Sequence, residues 1–209
     1  MQKLKYFIPL FLLALISCKS VTNYPISDTM KQYFDYHMGS YWIYKNDSTG
    51  ILDSTYVRSY NHTYGNQYND DKHITEEAIE FDYHSSFLSQ SYIAYVACGG
   101  PNYYTLSGNG EGGLVFSPNW PENTQVFPDC YHGAIFLSKT YSMDTIGNIP
   151  YQNVIYAELR TIDSSSTNPY RSVTKVYFAK HIGIIKYYAF YPYYKANYSF
   201  TLLSYKVIQ

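Results

Sequence analysis

The chain has 209 residues, 46 % of them hydrophobic and 15 % charged, with a formal net charge of -1. That length suits one β domain with a real core. A near-neutral balance without a basic patch excludes an electrostatic surface for nucleic acid. Tyrosine is the outlier at 28 residues; it favours pleated, half-buried strands and also makes good contact surface.

Met1 to Lys5 is short and basic, and Tyr6 to Ile16 is an apolar run. Eleven residues suit a signal-peptide core and are too few to span a bilayer. The run ends in Leu15-Ile16-Ser17-Cys18, which resembles the lipobox of bacterial lipoproteins. That resemblance implies cleavage before Cys18, alkylation of its thiol with diacylglycerol and fatty acylation of the new amino group. Several acyl chains anchor firmly where one is marginal. Removing Lys3 and Lys5 with the leader leaves 13 of the 15 basic residues against 16 acidic ones. Residue 19 is Lys and no acidic tract follows Cys18. By the sorting rules of that class this implies the outer membrane, with the periplasmic face slightly favoured over the cell surface. The expected organisation is a leader at 1–17, a lipidated polar tether at 18–32 and a single β domain at 33–209.

From Met30 to Tyr36 the pattern suggests a short helical or irregular piece. Strands then follow, separated by turn residues. Tyr41 to Lys45 is the first; Asn46 to Gly50 turns, and Ile51 to Tyr60 returns. Asn61 to His73 reads as a polar loop. Ile74 to Tyr83 alternates, with Ile79, Phe81 and Tyr83 opposite Glu76, Glu80 and Asp82, as in a strand with one wet face. Phe87 to Ala97 follows. Tyr103 to Leu106 and Leu114 to Phe116 are short strands in an irregular stretch rich in Gly and Pro, and Ala134 to Leu137 leads out of it. Val154 to Ile162, Val173 to Ala179, Ile184 to Phe190 and Tyr198 to Val207 complete the series. Many strands at short spacing predict an all-β antiparallel meander forming a strongly curved sheet or a barrel.

Of the three cysteines, lipidation would consume Cys18 and leave Cys98 and Cys130 in a compartment where disulfides form. Their pairing would staple the irregular stretch and contribute about 3–4 kcal/mol. Two free thiols or a metal pair is the alternative, which no CxxC or Cys/His cluster supports.

Two segments are similar to domains of small Bacteroidota-type lipoproteins. One runs from Tyr33 to Lys45 and contains Gly39-Ser40-Tyr41-Trp42-Ile43-Tyr44, followed by Asp53-Ser54-Thr55-Tyr56-Val57. The other runs from Tyr177 to Tyr187 and contains Gly183-Ile184-Ile185-Lys186, followed by Leu202 to Val207. The likeness covers the two ends of the domain and skips the middle. It implies an antiparallel β domain on a lipid anchor and transfers no functional residue. Alternation places Trp42 and Tyr44 on one face, as core, and Tyr41 and Ile43 on the other, while Gly39 and Gly183 mark backbone turns.

No catalytic or metal signature stands out. Asp129-Cys130-Tyr131-His132 and Asp82-Tyr83-His84 could pair an acid with a base, but no nucleophile elbow or HExxH accompanies them. Glu76, Glu77 and Glu80 read as a solvated strand face. The glycine-rich Ser107 to Gly113 lacks the Lys-Ser/Thr of a phosphate loop and reads as a loop tip. No cofactor is expected. Asp28-Thr29, Asp47-Ser48, Asp53-Ser54 and Asp144-Thr145 resemble O-glycosylation acceptors of this bacterial group, which marks Thr29, Ser48, Ser54 and Thr145 as candidate modification sites. Tyr187, Tyr188, Tyr191, Tyr193 and Tyr194 form a candidate ligand surface. The expectation is a non-enzymatic envelope lipoprotein whose domain binds or scaffolds a partner near the outer membrane; a lipid or glycan carrier built on a tyrosine-lined concave sheet, and a subunit docking on an outer-membrane protein assembly, are the alternatives. A hydrolase is the least favoured reading.

Overall fold

Apolar residues alternate along most segments, and the chain accordingly folds into a mostly antiparallel sheet. The computed structural model describes residues 21–69, 72–87, 91–97, 103–108, 111–116, 121, 134–161, 172–191 and 196–209. In chain order these form β1 (Val21–Tyr24), α1 (Asp28–Phe34), β2 (Tyr41–Asn46), β3 (Leu52–Asn69) and β4 (Lys72–Ser85). β5 (Ser91–Ala97), β6 (Tyr103–Gly108), β7 (Glu111–Phe116) and β8 (Ala134–Ile146) follow. The last four are β9 (Ile149–Thr161), β10 (Ser172–Ala179), β11 (Gly183–Tyr191) and β12 (Ala196–Lys206).

The sheet grows outward from one junction. β2 to β7 run as successive neighbours to one side, β12 back to β8 to the other, and β2 pairs with β12 between them. The edge strand β7 comes close to β8, β9 and β10, with no ladder between them among the described residues. The result is a curled half-barrel with one short helix, so the all-β expectation holds at that level. Cys18, Cys98 and Cys130 lie outside the described residues, as do Asp129 and His132.

Four expectations change. The stretch read as a polar loop, 61–73, is mostly ladder: Asn61 to Asn69 pair with Glu80 to Lys72. Backbone hydrogen bonding to β4 carries it there without an apolar pattern. The hairpin of β8 and β9 is also longer than Ala134 to Leu137 suggested, and continues to a tip at Gly147 and Asn148. The tether expected at 18–32 is largely part of the domain: β1 lies parallel to the start of β4, Val21 opposite His73 and Tyr24 opposite Glu76. The helix likewise begins at Asp28 rather than near Met30.

At seven residues, α1 is too short to stand alone and is held by tertiary packing. Ser27 caps it, accepting the Met30 N–H at 3.3 Å. Met30, Tyr33 and Phe34 share its buried face, at the i, i+3, i+4 spacing of a one-sided helix. That face lies in the concavity of the sheet. Phe34 meets Phe178 edge-on at 5.0 Å, and Tyr36 meets Trp42 at 5.1 Å and Phe81 at 5.7 Å. Three inward tyrosines have their hydroxyls satisfied by backbone carbonyls, the usual arrangement for a buried one. Tyr33 donates to the Asn153 carbonyl at 2.7 Å, Tyr44 to Ile184 at 3.0 Å, and Tyr36 to Tyr33.

The junction of β2 and β12 is fixed by Trp42. Its indole N–H donates to the Ile182 carbonyl at 2.6 Å, in the turn between β10 and β11. Gly183 follows with φ +98, and a Cβ there would stand 3.0 Å from Tyr36 Oη and 3.1 Å from Trp42 Nε1. Both the backbone angle and the contact exclude a side chain. Gly183→Ala is therefore expected to cost about 2–4 kcal/mol, strain and overpacking together, in urea unfolding. A loss below about 1 kcal/mol would contradict this account of the turn.

Candidate binding surface on the outer face

Residues of the sheet that point away from the core form the outer face. One row crosses four adjacent strands: Lys206 on β12 is opposite Tyr41 on β2, Tyr41 is opposite Tyr56 on β3, and Tyr56 is opposite His84 on β4. Directly opposed residues share a face, about 5 Å apart. Tyr41 is 39 % and Tyr56 42 % exposed, and the Tyr56 and His84 rings lie 5.2 Å apart. Arg58, beside the row, donates to Asp82 Oδ2 from Nε at 2.7 Å and Nη2 at 2.5 Å. Two open tyrosines are thus framed by a guanidinium–carboxylate pair, an imidazole and a lysine.

A second aromatic group on this face is already occupied. Tyr156 and Tyr177 lie 4.9 Å apart, and Lys175 and Lys186 stand over the Tyr188 ring at 5.9 and 5.4 Å. Lys175 also pairs with Glu158 at 3.1 Å and Lys186 with Asp47 at 3.2 Å. The tip of the β8–β9 hairpin folds over these strands: a Cβ at Gly147 would meet Thr201 Cγ2 at 3.1 Å, and Ile146 and Tyr151 are buried. Burial pushes the Tyr177 hydroxyl up to about 12, with smaller contributions from Tyr188, Tyr141, Asp144 and Glu158.

The tyrosine surface expected from the sequence is not assembled as such. Tyr187 points inward, stacks on Phe200 at 4.9 Å and donates to Asp53 at 2.7 Å, so it belongs to the core. Tyr188, its neighbour on the strand, faces outward, as alternation requires. Tyr191 ends β11, and Tyr193 and Tyr194 lie outside the described residues. The row of Tyr41, Tyr56 and His84 was not anticipated, although Tyr41 was expected to face away from Trp42.

Of the four candidate modification sites, Thr29, Ser48, Ser54 and Thr145 are all exposed. The acid before Ser54 differs from the rest. Asp53 is fully buried and accepts five hydrogen bonds: from the hydroxyls of Thr55 (3.0 Å), Ser85 (2.8 Å), Ser86 (3.1 Å) and Tyr187 (2.7 Å), and from the Phe87 N–H (2.9 Å). That carboxylate is a structural centre and cannot be read from outside.

Glu77 corrects the reading of Glu76, Glu77 and Glu80 as one solvated face. It points inward beside Ile79 and is buried. Its Oε1 takes Lys31 Nζ at 2.7 Å and His62 Nε2 at 2.8 Å, and its Oε2 accepts the Ile26 N–H at 2.8 Å. Burial alone would push this carboxyl up. The hydrogen bonds from Lys31, Ile26 and His62 outweigh burial and hold it below the ordinary 4.5. The same bond, set against burial, raises Lys31.

Among the described residues no three His, Cys, Asp or Glu converge to hold a metal ion. The acid–base pairing considered for Asp82 and His84 is not formed: Asp82 is bound by Arg58, and His84 lies against Tyr56. The chain matches no family model, no curated protein and no solved structure.

Because Glu77 has its folded pKa below the unfolded one, its contribution is complete above about pH 4.5 and is lost as pH falls through the depressed value. Chemical unfolding from pH 6 to pH 3 should show a fall in stability that Glu77→Gln flattens. Equal slopes for the two proteins would remove Glu77 as a source.

Proposed function

We propose that this chain is a membrane-anchored envelope lipoprotein whose β domain binds a ligand rather than transforming one. The anchor rests on the apolar leader ending in Leu15-Ile16-Ser17-Cys18. The binding role is carried by the outer row of Tyr41, Tyr56 and His84. An exposed tyrosine presents an apolar ring with a polar tip. Two of them one strand apart, flanked by Arg58, Asp82 and Lys206, match the alternation of apolar faces and hydroxyls on a glycan. A glycan at the envelope is therefore the favoured ligand class.

Carriage of a lipid inside the concave sheet has less support. Trp42, Tyr36, Tyr44, Phe34, Phe81 and Phe178 fill that concavity with side chains less than 2 % exposed or close to it. The buried carboxylates are committed to structural partners: Asp53 to its five donors, Glu77 to Lys31, and Glu158 to Lys175. This speaks against a hydrolytic centre built on them.

Tyr41→Ala and Tyr56→Ala remove exposed rings and should leave unfolding within about 0.5 kcal/mol of wild type. Retention on immobilised envelope polysaccharide should nevertheless weaken about five- to tenfold for each. Unchanged retention in both variants rejects the row as the binding surface. Cys18→Ser should move the chain from the membrane to the soluble fraction. Intact mass of native protein should show the acyl chains, and any hexose on Thr29, Ser48 or Thr145 beside them.

A further inference from the structure

We infer that the lipid anchor holds the domain on a leash of only three residues, with the β3–β4 hairpin tip against the bilayer and the Tyr41–Tyr56–His84 row held away from it. This rests on the lipoprotein reading of Cys18. Its geometric basis is separate.

The sequence alone leaves a tether of fifteen residues, 18–32, before the domain. The structure removes most of it. Val21 to Tyr24 are paired with His73 to Glu76, so the chain is in the sheet from residue 21 onward. The next residues are fastened by a buried acid: Glu77 accepts the Ile26 N–H at 2.8 Å and binds Lys31 of α1 at 2.7 Å. Slack between residue 21 and the helix is therefore absent. Three residues span at most about 10 Å, so Val21 cannot stand further than that from Cys18.

The pairing of β1 with β4 is parallel, and Val21 lies opposite the second residue of β4. The chain therefore enters the domain beside the tip that joins Asn69 to Lys72. From that tip β3 and β4 run away together. Tyr56 is thirteen residues along β3 from Asn69, which is about 40 Å at strand rise. The long polar hairpin thus acts as a pillar between the membrane and the aromatic row.

A domain lying flat on its outer face would instead set the Tyr41–Tyr56–His84 row against the headgroups. The upright arrangement leaves the row open to a glycan.

The test uses full-length chain made in a bacterium that lipidates it, placed in phosphatidylethanolamine/phosphatidylglycerol vesicles carrying a headgroup-labelled energy acceptor. A fluorescent amino acid is introduced at the exposed position 64 or at the exposed position 52, both on β3. These sites are twelve residues, about 40 Å, apart along the strand, and transfer from position 64 should exceed that from 52 by about threefold or more. Inserting a 20-residue Gly/Ser spacer between Ser20 and Val21 should lower transfer from 64 towards the value for 52. Equal transfer from the two sites, or a spacer without effect, in a chain that carries lipid and floats with the vesicles, overturns the orientation alone. A chain whose mass shows no lipid and which does not float overturns the anchored reading, and this inference with it.

Discussion

The hydrogen bond from the Trp42 indole to the Ile182 carbonyl ties β2 to the β10–β11 turn, across the β2–β12 ladder on which the sheet is centred. β2 and β12 are neighbours at the centre, so every other strand is added outward from that seam. The indole reaches past β12 and β11 to the turn before Gly183. It can do so because Gly183 has no side chain and takes a φ closed to most residues. A donor left without its carbonyl in such a place costs about 1–3 kcal/mol. This explains why Gly-x-Tyr-Trp-x-Tyr near the start and Gly-Ile-Ile-Lys near the end stood out together in the sequence. They are the two halves of one contact.

Around that seam the core is stitched by buried carboxylates as well as by apolar packing. Asp53 binds donors from β3, β4, the residues just after β4, and β11. Glu77 binds β3, α1 and the segment before α1. The two differ in character. The donors that solvate Asp53 are hydroxyls and an amide, none of which carries a charge. Glu77 has a lysine, so its attraction depends on both groups staying ionised. Removing either acid would leave several desolvated donors unanswered, the costly side of the hydrogen-bond balance. Glu77 therefore couples the entry segment to protonation.

Much of the fold was legible where periodicity was strong. The inward run of Ile79, Phe81 and Tyr83 and the opposed faces of Trp42 and Tyr41 are as alternation requires. Legibility failed where the backbone rather than the side chains makes the structure. Asn61 to Asn69 carries no apolar stripe, so only its partner strand shows that it is a strand. Register is not legible for a related reason. Lys45 lies opposite Leu52, which the turn residues alone do not specify. One residue of slip moves every side chain to the other face, and only the true register puts Tyr41 beside Tyr56. The turn is set by Asn46, buried, whose side chain accepts the Ser48 and Thr49 amides at 3.0 and 2.8 Å. Asx turns of this kind are visible in a sequence as a residue type, not as a strand offset.

The tyrosine content divides along the same faces, and the division bears on function. Inward tyrosines are consumed by the core, where rings meet edge to face and hydroxyls find carbonyls or Asp53. Of the outward ones, those on β9 to β11 are covered by the β8–β9 tip and by lysines. Tyr41 and Tyr56 escape both fates. Strand pairing sets them side by side, and nothing in their own ladder requires an aromatic ring at either position on the solvent face. A polar side chain there would keep the same backbone bonds and expose less apolar surface. The two open rings give the ladder the modest gain of cross-strand aromatic pairs and still leave apolar surface in water. The physical benefit of such a pair is realised when something flat and partly apolar lies across it.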